Sequence, residues 1–255
     1  MAEVRTLILR APGTNCDQET AFAFEQAGSS VDLAHVNELV RREKRIADYQ
    51  ILVVPGGFTY GDDISAGRIL ANELRLKLGE DIKRFVEAGG LILGICNGFQ
   101  VLVKAGILPP SADGNPGLTL AGNDSNQFEC RWVYLSVDRE SPCIFTKGIS
   151  SLYLPVAHAE GKLVAEAETL DKLNVVARYA DEKGDIRASY PQNPNGSADN
   201  IAGICDASGR IFALMPHPER FIRWTQHPRW SREKPREHGD GLAIFGNAVE
   251  WVRQS

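Results

Sequence analysis

The chain has 255 residues, 43% of them hydrophobic and 24% charged, with a formal net charge of −5. This is enough chain for a sizeable core and an ordinary composition for a globular protein, and it is too acidic for a general nucleic-acid binder. No apolar stretch is long enough to span a membrane. The start, Met1-Ala2-Glu3-Val4-Arg5, lacks a signal-peptide pattern, so a cytoplasmic setting is expected.

In chain order, Val4 to Leu9 reads as a short apolar strand. Ala11-Pro12-Gly13-Thr14-Asn15 is a loop, and Thr14 or Asn15 can cap the helix that runs to Ala27 before Gly28. Val31 to Val36 is a second strand and Asn37 to Arg45 a short charged helical segment. Ile51 to Val54 is a third strand, apolar on both faces, ending in the glycine-rich loop Pro55-Gly56-Gly57-Phe58-Thr59-Tyr60-Gly61-Asp62-Asp63. A long helical stretch, Ala66 to Ala88, leads to the strand that starts at Leu91. Alternating β and α elements predict an open, mostly parallel sheet with helices on both faces, an α/β fold.

After Pro109-Pro110 the texture changes. Ser111 to Gln127 is rich in Gly, Asn, Asp and Ser and reads as a loop. Short strands follow at Arg131 to Val137, Leu152 to Val156 and Val175 to Tyr179. Ile201 to Cys205 and Arg210 to Met215 flank Asp206-Ala207-Ser208-Gly209 as a hairpin. Phe221 to His238 is polar and basic, and Gly241 to Val252 is a closing helix. With no repeat or linker, residues 1–255 are expected to form a single domain: a parallel half followed by an antiparallel extension.

The chemistry gathers at Leu91-Ile92-Leu93-Gly94-Ile95-Cys96-Asn97-Gly98-Phe99-Gln100. A buried strand runs through Gly-x-Cys-x-Gly into a helix, so the chain must turn sharply at the cysteine. Such a turn sets Cys96 at a helix N-terminus, where the dipole favours the reactive thiolate. On this stretch alone an inert buried thiol fits as well as a nucleophile. The other cysteines, at 16, 130, 143 and 205, add no CxxC and no metal-ligand spacing, so neither disulfides nor a metal site is expected. Asp62 and Asp63 lack a third ligand at suitable spacing.

Met215-Pro216-His217-Pro218-Glu219-Arg220 follows an apolar strand. If the segment is extended, His217 and Glu219 share a face, as a base and its orienting carboxylate. A strand-end histidine in a surface ion pair is the simpler reading of this segment alone; its occurrence with a cysteine elbow favours a Cys–His–Glu triad. The Gly56-Gly57 loop reads as a flexible turn, or as an oxyanion hole in which the N–H groups of Gly57 and Asn97 receive a developing O⁻.

Pro55-Gly56-Gly57, Gly94-Ile95-Cys96-Asn97-Gly98-Phe99-Gln100 and Pro216-His217-Pro218-Glu219, in this order, resemble a class I triad-type glutamine amidotransferase, a flavodoxin-like fold. More narrowly, the chain resembles the glutaminase subunits of phosphoribosylformylglycinamidine synthases. That match rests on Pro12-Gly13-Thr14-Asn15-Cys16-Asp17, Gly56-Gly57-Phe58-Thr59-Tyr60-Gly61-Asp62, Asn123-Asp124-Ser125 through Phe128-Glu129-Cys130-Arg131, Ala157-His158-Ala159-Glu160-Gly161, Tyr190-Pro191-Gln192-Asn193-Pro194-Asn195-Gly196-Ser197 and Met215-Pro216-His217-Pro218-Glu219-Arg220. It covers nearly the whole chain.

The resemblance implies that Cys96 attacks the side-chain amide of L-glutamine, with His217 as acid and base and Glu219 orienting it. It implies glutamine contacts at Gln100, Asn123 and Phe128. The alternatives are an exposed helix-face amide for Gln100, and loop capping and core packing for the other two. It makes His158 and Glu160 candidates for a face meeting the synthase subunit, against a solvated loop. With no phosphate loop or dinucleotide fingerprint, the chain is expected to carry no cofactor. ATP and Mg would serve a separate large synthase subunit, joined through a small bridging one. The segment from Phe221 to Trp230 is longer than in short bacterial subunits; its Trp224 and Trp230 suggest an interface or local packing. Two other readings stay open: a triad amidotransferase for a different ammonia acceptor, and a non-catalytic binding module, which predicts a missing His or Glu.

Overall fold

The computed structural model describes residues 3–62, 65–111 and 117–255. Its first half is built from β1 (Arg5–Arg10), α1 (Asp17–Gln26), β2 (Ser30–His35), α2 (Val36–Val40), β3 (Ile51–Val54), α3 (Arg68–Lys77), α4 (Gly79–Glu87), β4 (Leu91–Ile95) and α5 (Asn97–Lys104). The second half contains β5 (Leu118–Gly122), β6 (Glu129–Val137), β7 (Ser151–His158), β8 (Glu160–Ala165), α6 (Ala167–Leu170), β9 (Asn174–Ala180), β10 (Ile201–Cys205), β11 (Ile211–Leu214) and α7 (Leu242–Gln254).

Nine strands form one sheet in the order β2-β1-β3-β4-β11-β10-β9-β6-β7. The strands from β2 to β11 run parallel, and β10, β9, β6 and β7 continue the sheet antiparallel. The expected parallel half and antiparallel extension are both present, as one continuous sheet. The parallel strands β3, β4 and β11 are buried at every residue, as strands covered on both faces must be.

The order explains where a site can form. From β1 the chain crosses to β2 on one side, whereas from β3 it crosses to β4 on the other. Right-handed crossovers in opposite directions put their helices on opposite faces. The packing agrees: α1 lies against α7, and α5 against α3. The crossover direction reverses between β1 and β3, the position where ligands bind at the carboxyl ends of such sheets. The loops after β1, β3, β4 and β11 therefore converge: Pro12 to Cys16, Pro55 to Thr59, the Cys96 turn, and Met215 to Arg220.

Three expectations are corrected. The helix expected over Ala66 to Ala88 is two helices, because Leu78 leaves the helical region (φ −124°, ψ 2°) while its side chain stays in the core. The Ser111 to Gln127 loop contains β5, which pairs antiparallel with the unforeseen β8 in a separate two-stranded sheet. Of that loop, and of the Asp62/Asp63 pair, residues 112–116 and Asp63 lie outside the described residues. Thirdly, His217 and Glu219 do not share the face of an extended segment, since Pro218–Arg220 forms a turn of 3-10 helix. Trp224 is buried and stacks on His227 with ring centroids 4.7 Å apart, so it packs locally, whereas Trp230 is exposed.

A Cβ added to Gly98 would run into the carbonyl of Val54, and one on Gly94 would approach Leu102 Cδ1 to 2.6 Å. α5 therefore lies directly on β3 and β4. We expect Gly98→Ala to destabilise the protein by about 1–3 kcal/mol through this overpacking, read as a lowered Tm in a thermal melt. An unchanged Tm would mean that α5 does not lie this close.

Candidate active site

Between β4 and α5 the chain turns on a single residue. Cys96 adopts φ 51°, ψ −105°, a conformation that side chains rarely tolerate and that surrounding structure must impose. The Cys96 N–H donates to Leu214 O of β11 at 2.8 Å, which anchors the turn to the neighbouring strand. Its thiol points towards Ala157 O of β7 at 3.8 Å. The Cys96 sulfur thus sits at the N-terminus of α5, in the field of the helix dipole, and it is 5% exposed.

On β11's side, His217 Nδ1 and Glu219 Oε1 are 2.6 Å apart. Both residues are 1% exposed, and the His217 N–H is held by Pro155 O of β7 at 2.8 Å. Burial by itself disfavours the imidazolium, but Glu219 and Cys96 outweigh it and hold the proton affinity of His217 well above the ordinary histidine range. His217 Nε2 and Glu219 Oε2 are buried without a hydrogen-bond partner. The arrangement is an imidazole whose Nδ1 side is fixed by a carboxylate and whose other nitrogen is free to exchange a proton.

The loop after β3 is locked to the turn. Asn97 Oδ1 accepts from Thr59 Oγ1 at 2.7 Å, and Asn97 Nδ2 donates to Gln100 Oε1 at 2.9 Å. Phe58 N–H donates to Gly13 O at 2.9 Å and Asn15 N–H to Gly56 O at 3.4 Å, which leaves the Gly57 N–H outside that pairing. The Asn97 N–H begins α5 and has no acceptor within the helix. A Cβ on Gly57 would come within 2.7 Å of Gly13 O, and one on Gly56 within 2.8 Å of His217 Cε1. No larger residue fits at either position without displacing the loop after β1 or the imidazole.

The remaining expected residues fall as follows. Gln100 is buried, and its Nε2 donates to Glu160 O at 2.5 Å, so its amide ties α5 to β8. Asn123 is buried and caps the loop before β6, donating to Gln127 O at 2.9 Å and His158 O at 2.8 Å. Phe128 is 49% exposed beside Phe58, with ring centroids 6.3 Å apart. Glu160 is half-buried, and its carboxylate acts on Asp62 and Lys104.

His158 is corrected: at 3% exposed it presents no surface to a partner. Its Nδ1 meets Asn123 Oδ1 at 3.1 Å, and its Nε2 is buried without a partner. Burial, then the neighbouring His217, pushes its pKa down to about 3.

Two residues at the site escape the sequence reading. Cys16, fully buried, places its sulfur 3.9 Å from His217 Nδ1, and Arg220 Nη2 donates to that sulfur at 3.1 Å. The signal was available: the Pro12 to Asp17 motif ends the first parallel strand, on the same sheet edge as Cys96. Cys16, His217 and Glu219 bring potential metal-ligand atoms within 4.8 Å of one another. The donors are already engaged, the sulfur by a guanidinium and Nδ1 by Glu219, so a cation there would face Arg220 at close range.

A family model for the CobB/CobQ-like glutamine amidotransferase domain matches residues 3–252, and the chain belongs to this family. It is 61% identical over 255 residues, the full length of both chains, to a protein of Dehalococcoides mccartyi named phosphoribosylformylglycinamidine synthase subunit PurQ. It is 42% identical to a PurQ protein of Methanococcus maripaludis, with 98% of each chain covered. Among solved structures, a chain of PurLQS from Thermotoga maritima superposes with a TM-score of 0.75 at 31% identity, covering 98% of this chain and 100% of that one. A second Thermotoga maritima structure, described as a glutamine amidotransferase, shares the fold with a TM-score of 0.59. The family resemblance carried by the motifs is borne out.

The buried neutral His158 carries a prediction. Its folded pKa lies below the ordinary 6.5, so the unfolded chain binds its proton first. The stability this group contributes is full above pH 6.5 and falls as pH drops towards 3, by about 1.4 kcal/mol per pH unit. His217 is shifted the other way and contributes no slope in this range. We expect denaturant melts between pH 6.5 and pH 4 to show a shallower loss of stability for His158→Gln than for the wild type. Equal slopes would show that His158 titrates normally.

Proposed function

We propose that this chain is the glutaminase subunit of a phosphoribosylformylglycinamidine synthase. It hydrolyses L-glutamine to glutamate and ammonia and passes the ammonia to a synthase subunit acting in purine biosynthesis. The observation that carries the reading is the Cys96 turn, facing a buried His217 whose Nδ1 lies 2.6 Å from Glu219. The names of the full-length relatives support the pathway, and the likeness to a chain of PurLQS supports a multi-subunit assembly.

The steps follow from the positions. The Cys96 thiolate attacks the side-chain amide carbon of glutamine, and the oxygen that gains charge is received by the N–H groups of Gly57 and Asn97. His217, whose proton affinity Glu219 raises, gives its Nε2 proton to the departing ammonia. The γ-glutamyl thioester remains on Cys96. His217 then takes a proton from water, which attacks the thioester and releases glutamate. Glu219 holds the imidazole in one orientation and stabilises its charged form.

Chemistry of this kind needs no cofactor in this chain. ATP and Mg would serve the large synthase subunit, with a small bridging subunit completing the assembly in the cytoplasm. Glu160 remains a candidate for the partner-facing surface, and Gln100, Asn123 and Phe128 for the walls of the glutamine site. The whole of residues 1–255 would act as one domain, because the site draws on both halves of the sheet. No helix among the described residues is long and apolar enough to cross a membrane.

The test uses the assembled synthase with its nucleotide substrate and ATP. Cys96→Ala is expected to abolish glutamine-dependent synthesis while synthesis from added ammonium salt continues. Glu219→Gln should lower glutamine turnover by about 10²–10⁴-fold, the range for an acid–base group losing its function. Glutamine turnover surviving in Cys96→Ala would rule out the thioester route, and activity only with a different synthase would reassign the acceptor.

A further inference from the structure

The mechanism leaves one buried sulfur at the site without a task. Cys16 lies at the end of the loop after β1, its N–H bound to Gly56 O at 3.2 Å and its side chain fully buried. Its thiol donates to Asn15 Oδ1 at 3.2 Å, and the same sulfur accepts from Arg220 Nη2 at 3.1 Å. Gly56 keeps the sulfur and the imidazole side by side, because a Cβ there would lie 3.2 Å from Cys16 Sγ and 2.8 Å from His217 Cε1.

Arg220 is the cation that could disturb the triad. It follows Glu219 directly in sequence, and its Nε already stands 3.9 Å from Glu219 Oε1, the oxygen that binds His217. A guanidinium is a five-donor fork matched to a carboxylate. Freed from another acceptor, it would close on Glu219, whose Oε2 has no hydrogen-bond partner. Glu219 would then be neutralised by Arg220 and would support an imidazolium less well.

We propose that Cys16 is a positioning residue for the triad: its sulfur holds the Arg220 guanidinium out of hydrogen-bond reach of Glu219, so that His217 is the hydrogen-bonded partner of Glu219. The inference rests on the glutaminase reading above.

The groups facing His217 are Glu219 and Arg220 on its own turn, Cys16 from the loop after β1, Cys96 at the β4–α5 turn and His158 on β7. Of these, only Arg220 gains a new partner when the Cys16 sulfur is removed. A hydroxyl can replace the sulfur as acceptor, and a methyl group cannot.

The experiment is the pH profile of glutamine-dependent kcat in the assembled synthase, for Cys16→Ala, Cys16→Ser and Cys16→Ala/Arg220→Ala. The basic limb of the profile reports loss of the His217 proton. We expect Cys16→Ala to move that limb down by about one pH unit, with the KM for glutamine and ammonium-dependent synthesis unchanged. Cys16→Ser should keep the wild-type limb, and the double variant should regain it, since the competing cation is gone. A wild-type limb in Cys16→Ala overturns the proposal. So does a double variant that keeps the shifted limb, because the sulfur would then act through packing or its own contact with His217 Nδ1 rather than through Arg220. Should Cys16→Ala fail to fold, Cys16→Ser and Arg220→Ala decide: both are expected to hold the limb at or above its wild-type position, and a lowered limb in either overturns the proposal. Turnover of glutamine by Cys96→Ala would instead defeat the thioester mechanism and leave the Cys16 contacts without a triad to serve.

Discussion

The site depends on a turn that has no spare residue. β4 ends at Ile95 and α5 begins at Asn97, so the whole change of direction falls on Cys96 and its positive φ of 51°. A non-glycine residue in this conformation costs of the order of 1–3 kcal/mol and persists only where its surroundings over-determine it. They do so here from three sides. β11 takes the Cys96 N–H, Gly98 seats α5 against the Val54 carbonyl, and Asn97 binds Thr59 of the loop after β3. The strain places one sulfur above the sheet edge and at the head of a helix, and the remaining loops are built around that point.

Much of this was legible because glycine spacing and apolar runs are local signals. Leu91 to Gly98 fixes strand, turn and helix within a few residues, and the Gly56-Gly57 pair marks a close approach. The His217–Glu219 pair was legible in composition but not in geometry. An extended chain puts His217 and Glu219 on one face, yet Pro218 opens a 3-10 turn, and the carboxylate reaches Nδ1 by that route. The β5–β8 sheet was hidden because its residues sit in a stretch whose Gly, Asn and Asp content signals loop. The burial of His158 is hidden for a related reason. A histidine near a strand end looks solvated in one dimension, and only the partners Asn123, from the loop before β6, and Gly161, on β8, reveal that it is enclosed. Cys16 illustrates the same limit, since its neighbours Arg220 and His217 lie about 200 residues away in the chain.

Two buried histidines near one another show how environment divides a single residue type. His217 and His158 are both almost wholly removed from water. Burial disfavours the charged form of each. His217 has a carboxylate on Nδ1, and Glu219 with Cys96 raises its proton affinity above the ordinary histidine range. His158 has only a side-chain amide, with His217 itself as a repelling neighbour, and it stays neutral. The charge on His217 thus helps to keep His158 uncharged. The site holds one proton donor beside one buried, neutral acceptor, and the difference comes from what lies within hydrogen-bond reach of each ring.

The antiparallel half of the sheet is part of this arrangement. In the strand order β7 is the far edge, four strands beyond β11. Even so, Pro155 O binds the His217 N–H and Ala157 O lies beside the Cys96 sulfur. For this to happen, the sheet beyond β11 must twist and curl until its last strand returns over the carboxyl ends of the parallel strands, in the sense that right-handed strand twist accumulates. β8, which follows β7 after Ala159, then brings Glu160 to Gln100 on α5. The parallel half therefore supplies the nucleophile and the histidine turn, and the antiparallel half fixes both by their backbone and side-chain contacts. Cutting the chain after α5 would remove Leu214 O, which anchors the Cys96 turn, together with His217 and the Pro155 carbonyl that orients it.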